Sequence, residues 1–302
     1  MVMRVATFAL SNSMIDAALR TQAKVSERQI QTASGNISSD FGGLGATSKK
    51  VLDLQVSVSQ SKSYEDNATS AANRVEVMYS ATGSIGDLLN SFKSDLTSAL
   101  SVNGSDTSVL KSSAEDLMSE MASLLNTQYG GRYLFAGGST TAAPVDLSTY
   151  SNTTSTTADT SYYQGDSQIA SVKVSDSQYI NYGVTADNAA FEEAMRAFSM
   201  IANSTSDPID TATLNDAIDL ATSALDSVTA VQTKLSLSAS QLERAVSIQQ
   251  DFQDYATTLS DSLTEVDVAA VTAEISTYQA QLEASYSAIS KISSLRLSDY
   301  LR

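Results

Sequence analysis

The chain has 302 residues with no histidine, cysteine or tryptophan, and its 18 basic against 34 acidic side chains give a formal net charge of -16. Missing imidazoles and thiols exclude Ser-His-Asp and Cys-His nucleophilic sites, imidazole or thiolate zinc, haem, iron–sulfur clusters and disulfides. The few lysines and arginines are scattered, which argues against holding nucleic acid or an anionic membrane surface. No cofactor or metal is expected, and the acidic excess, spread along the chain, reads as a soluble, mutually repelling surface.

Hydrophobic residues make up 42% of the chain but aromatics only 7%. That mixture suits slender helical packing better than a thick globular core. No run approaches the roughly 18–20 apolar residues a membrane-spanning helix needs, so no membrane insertion is expected. Ser11, Asn12 and Ser13 interrupt the N-terminal apolar run before it forms a signal-peptide core, so no cleaved leader is expected.

In the first predicted helix Phe8, Ile15 and Leu19 share a face that Gln22, Ser26 and Gln29 dilute. Such a helix is marginal in water and needs a partner, for which the C-terminal end is the obvious candidate. The stretch Ser34 to Gly45 holds four glycines, but it lacks the lysine and Ser/Thr of a phosphate cradle and follows no strand. It reads as an interhelical loop. A second helix is predicted between Thr47 and Leu100, marked by Val51, Leu54 and Val58 and then by Ile85, Leu88, Phe92 and Leu96. Gly83 and Gly86 are its expected kink positions. Leu110, Ala114, Leu117, Met121 and Leu124 mark a third helix.

Between Gly130 and Gly183 stand six glycines, Pro144, a Ser/Thr-rich stretch over 148–161 and tyrosines at 133, 150, 162, 163, 179 and 182. Short strands are predicted here, one of them around 168–175. No glycine follows Gly183, and Pro208 is the only proline in that final stretch, so long helices are predicted beyond it. The acids between Asp207 and Asp219 do not match an EF-hand, and Asp210 or Thr211 reads as a helix cap. Leu214, Ile218, Ala221, Leu225 and Val228 line the next helix. In the last one Val268, Ile275, Leu282 and Ile289 recur every seven residues, interleaved with Val271, Tyr278, Ser285 and Ile292. This apolar seam suits coiled-coil-like pairing.

The expected fold is mainly α: a long helical rod with terminal coiled-coil-like helices and a small β-rich inserted domain. Residues 1–45 and 255–302 would form the terminal assembly domain, 46–130 and 186–254 the rod, and 131–185 the insertion. Two Ser-x-x-Lys matches, Ser59 to Lys62 and Ser108 to Lys111, come without the companion motifs of penicillin-binding enzymes. No enzyme is expected.

Three stretches carry a family resemblance: Gly131-Arg-Tyr-Leu-Phe-Ala-Gly137, Tyr163-Gln-Gly-Asp166, and the end from Asp267 onward with Gln279, Leu282, Ala284, Ser285 and Tyr286. On these marks the sequence resembles flagellin-related proteins and, among them, the hook-associated family. Ser34-Gly35-Asn36 and Ser38-Ser39-Asp40, without proline, depart from the family's usual loop.

The resemblance implies a structural subunit joining hook to filament, exported without a cleaved signal peptide and located outside the cell on the flagellum. Implied partners are copies of itself, the adjacent hook-associated junction protein, flagellin and a cytoplasmic export chaperone. Phe8, Ile15, Leu19, Val268, Ile275, Leu282, Ile289 and Ile292 are the expected assembly residues. Alternatives are a filament subunit, or a secreted glycan-binding adhesin using the Tyr-rich insertion.

Overall fold

A computed structural model of the protein describes residues 2–101 and 107–294, with side chains described over 9–101 and 107–292. The helices are α1 (Val2–Ser34), a 3-10 helix (Phe41–Thr47), α2 (Ser48–Ser101), α3 (Thr107–Leu125), α4 (Ala189–Ala202), α5 (Thr211–Thr264) and α6 (Val268–Ser294). Two antiparallel pairs lie between α3 and α4: β1 (Gln128–Tyr129) with β2 (Arg132–Tyr133), and β3 (Ser171–Lys173) with β4 (Tyr179–Asn181). The fold is mainly α with a small β part, as expected. The strand anticipated around 168–175 is shorter, at Ser171–Lys173, and pairs in register Val172 to Ile180. The chain divides into two compact units, residues 1–59 with 253–302, and residues 60–252.

In the first unit α1 packs on α6. Their ends are fixed by caps and by a short backbone bridge. Asp267 Oδ1 accepts from Ala269 N and Ala270 N, both at 3.0 Å, and so caps α6. Ile37 N donates to Thr264 O at 2.7 Å and Val266 N to Gly35 O at 2.9 Å, tying the α1 exit to the α5–α6 junction. Within the 34–45 stretch Asp40 Oδ1 accepts from Gly43 N at 2.8 Å and caps the 3-10 helix, so the glycines serve a tight interhelical connection.

The second unit is built around one core. Ile85, Leu89, Phe92 and Leu96 of α2 meet Leu110, Ala114, Met121 and Leu125 of α3 and the alanine-rich face of α5 at 217, 221 and 224. Leu88, expected inside, lies at the margin, and Leu89 is fully buried instead. The helix is continuous through Gly83 and Gly86. Both glycines face α5: a Cβ at Gly83 would meet the end of the Gln232 side chain, Nε2, at 3.0 Å, and one at Gly86 would make ordinary contact with Leu225 at 3.8 Å. Helix α4 is buried on nearly every side. Phe198 meets Phe92 edge-on at 4.9 Å, and Phe191 meets Phe135 of the insertion at 5.8 Å.

Candidate assembly surface

Residues set three and four apart give α1 one continuous face, and the structure places that face at Ser11, Met14, Ala18, Thr21, Val25 and Arg28, all less exposed than their neighbours. Opposite it α6 presents Val271, Ile275, Tyr278, Leu282, Ser285, Ile289 and Ile292, again in three-four alternation. Arg28 Nε reaches Glu274 Oε2 at 2.8 Å, and Lys24 Nζ sits 5.6 Å above the Tyr278 ring. As α1 advances from 24 to 28, its partners retreat from 278 to 274, so the helices run antiparallel.

The pairing is thin. Among the described side chains of these two helices only Ala18, Val25, Gln31 and Val271 are buried. The Arg28–Glu274 pair is partly exposed, and an ion pair of this kind contributes under about 1 kcal/mol.

Of the sequence-derived assembly residues, Ile275, Leu282, Ile289 and Ile292 are half-buried in the seam, whereas Val268 stands 44% exposed at the start of α6. Ile15 and Leu19 lie beside the α1 seam, 41% and 57% exposed. Phe8 lies outside the described side chains. The sequence reading missed Met14, Ala18 and Val25 because the residues interleaved with them, Ser11, Thr21 and Arg28, are polar. The spacing was the only available signal.

In the second unit the two motif stretches of the insertion form one structure. Gly130 and Gly131, at φ +60° and +74°, turn β1 into β2. Phe135 and Ala136 then enter the core. Asp166 N donates to Ala136 O at 3.2 Å, and the Asp166 carboxylate accepts from Gly138 N at 2.7 Å and Gln168 N at 2.9 Å. The Gly138 amide, followed by that of Gln168, holds this carboxyl below its ordinary 3.8. Tyr163 Oη donates to Asp166 O at 2.6 Å and closes the knot.

The Ser/Thr-rich stretch is strapped to α4. Arg196 Nε donates to Glu192 Oε1 at 2.9 Å and its Nη2 to Oε2 at 3.0 Å, in a pair whose side chains are 8% and 4% exposed. Asp159 N donates to the same Glu192 at 2.9 Å, Arg196 Nη1 donates to Ser155 O, and Ser199 Oγ donates to Asn152 O at 2.6 Å. Burial, before any neighbouring charge, pushes the Tyr150 and Tyr162 phenols far up. Among the described residues no cluster of carboxylates suits a metal ion, and no helix is long and apolar enough to cross a membrane.

Residues 5–140 match the bacterial flagellin N-terminal helical region, and residues 218–301 match the bacterial flagellin C-terminal helical region. The fold is similar to that of a candidate flagellar hook-associated protein from Vibrio parahaemolyticus, at 16% identity and a TM-score of 0.60, covering 75% of this chain and 99% of the other. It is similar also to FlgL from Bacillus cereus (15% identity, TM-score 0.57, 69% and 98% covered). A third similar structure is the flagellar hook associated protein-3 of Legionella pneumophila (13% identity, TM-score 0.54, 70% and 98% covered). No curated protein sequence matches. With both terminal helical regions matched in order, and between them most of its length, the chain belongs to the bacterial flagellin family.

Proposed function

We infer that the protein is a structural subunit of the bacterial flagellum at the hook–filament junction. It assembles through its terminal helices as an adaptor on which flagellin adds. The observation that carries this reading is the matched pair of flagellin helical regions, whose outermost helices α1 and α6 meet in a seam that buries few side chains. The hook-associated proteins with the same fold support the junction over the filament as its position.

The apolar side chains beside the seam, Ile15 and Leu19 on α1 and Val268 on α6, are exposed and available to neighbouring copies. Phe8 belongs with them by sequence, while Ile275, Leu282, Ile289 and Ile292 hold the seam itself. In the isolated chain the terminal pair is loosely held, and it becomes fully ordered when adjoining subunits cover both helices. The partners are copies of the chain, the neighbouring hook-associated protein, flagellin, and before export a cytoplasmic chaperone. The subunit works outside the cell and catalyses no reaction.

Labelling the protein on isolated flagella tests the position. A single band beside the hook is expected, and signal along the whole filament would make it a filament subunit instead. Hydrogen exchange tests the folding step. Exchange over 9–34 and 268–292 should be orders of magnitude faster than in the α2–α4–α5 core, and equal protection in the monomer would contradict it.

A further inference from the structure

One residue of the Gly-Arg-Tyr-Leu-Phe-Ala-Gly stretch has no part in the packing just described. Tyr133 and Leu134 are half-buried, Phe135 and Ala136 fully so, and Gly137 admits Asp166, but Arg132 is exposed. Its side chain lines a cavity of about 40 Å3 in the second unit, together with Arg74 of α2 and the polar side chains of Thr140, Gln168, Tyr182 and Thr185.

Two guanidinium groups on one small cavity need an explanation in a chain with 34 acids and 18 bases. Among the described residues the salt bridges are Arg28–Glu274 and Arg196–Glu192, so neither Arg74 nor Arg132 is paired with a carboxylate. No aspartate or glutamate lines the cavity. Arg74 Nη1 donates to Tyr182 Oη at 3.2 Å, yet its Nε is buried with no partner in the protein. A buried guanidinium N–H without an acceptor is costly, and two like charges facing one space raise that cost.

An anion would resolve both. The guanidinium fork matches a planar two-oxygen group, which it binds through parallel charge-assisted hydrogen bonds. The volume suits such a group and is far below the several hundred Å3 of a typical cofactor or drug-sized pocket. The geometry points to a carboxylate-binding site formed by Arg74 and Arg132, with Tyr182 orienting Arg74. The carboxylate comes either from a small organic acid or from an acidic side chain of a second copy of this strongly acidic chain. The chemistry is the same for both.

The test uses the full chain labelled with 15N-arginine, following the Nε–H signals of Arg74 and Arg132 during titration with sodium acetate, against sodium chloride at equal ionic strength. A saturable shift with acetate is expected, half-complete at millimolar concentration and at least about tenfold weaker with chloride. Arg132→Gln, at an exposed position that leaves the core intact, should weaken acetate binding about tenfold, the loss of one charge-assisted pair. Equal response to the two salts would overturn the site, as would unchanged acetate affinity in Arg132→Gln. Sedimentation of the same samples separates the sources. Self-association that acetate and Arg132→Gln both weaken supports the site with a carboxylate from a second copy. Self-association unmoved by either, with acetate binding still lost in the variant, supports it with a free organic acid.

Discussion

Alanine at Gly137 tests whether the two insertion motifs are one knot. Gly137 has φ +68°, and a Cβ there would stand 2.1 Å from the Asp166 carbonyl oxygen and 2.9 Å from its carbonyl carbon. Gly131 supplies the control, because it has φ +74° with nothing within 4 Å of its would-be Cβ. Both substitutions bear the left-handed backbone cost of roughly 1–2 kcal/mol. Only Gly137→Ala must also push backbone away, by close to an ångström, before the contact becomes tolerable. That movement breaks the Asp166 N to Ala136 O hydrogen bond, worth roughly 0.5–1.5 kcal/mol, and loosens the neighbouring Phe135. The sum is a loss of about 1.5–3.5 kcal/mol before any loosening of Phe135, against about 1–2 kcal/mol for Gly131→Ala. Urea unfolding followed by tyrosine fluorescence reads the difference, since most tyrosines lie in this unit. If the two variants agreed within about 0.5 kcal/mol, the knot would not exist as described.

Arg196→Met should cost about 3–5 kcal/mol, because it strands Glu192 in a site where its side chain is 4% exposed. The double variant Glu192→Leu/Arg196→Met should recover much of that loss in the same urea experiment, and limited proteolysis should cut the 148–161 stretch faster in the single variant. Leu282→Asp puts a charge into the half-buried α6 seam. It should prevent incorporation into flagella while leaving the urea midpoint of the second unit unchanged, as electron microscopy and unfolding of the purified variant would record. Asp166 has its folded pKa depressed by the Gly138 amide first, so its contribution to stability is present above the ordinary 3.8 and is lost as pH falls through the lower folded value. Stability measured between pH 6 and 2.5 should decline in that acid window, and Asp166→Asn should flatten the decline.

Elements with a single apolar stripe were legible in the sequence because period and burial coincide: Ile275–Leu282–Ile289 of α6, half-buried, and Ile85–Phe92–Leu96 of α2 and Leu110–Ala114–Met121 of α3, fully buried. Helix α4 was legible only as part of the glycine-free helical stretch beyond Gly183, with no stripe of its own. Of its three charged residues, Glu192 and Arg196 are buried against each other and only Glu193 stays half-exposed, so its polar positions do not mark a solvent face. The α1 seam was hidden differently, since polar Ser11, Thr21 and Arg28 interleave with Met14, Ala18 and Val25 along it. Gly83 and Gly86 read as kink positions of α2, and in the structure the helix runs on through both where they face α5. The insertion motifs could be quoted from the sequence, but their mutual contact joins Gly138 to Asp166 through a loop that no local pattern predicts.

Charge follows the same division of labour. Arg4, Arg20, Lys24 and Arg28 outweigh Asp16 and Glu27 over residues 1–30, and Lys291, Arg296 and Arg302 balance Glu274, Glu283 and Asp299 from 268 onward. The stretch between them, residues 31–267, therefore carries more negative charge than the whole net -16. Copies of the chain can bring their ends together with little self-repulsion, whereas their middles repel one another unless salt screens them. A thin intrachain seam supplies the apolar faces that crowding of neutral ends can cover. It follows that association through the ends should tighten with ionic strength as the middles are screened, the opposite of what assembly by complementary charges would give.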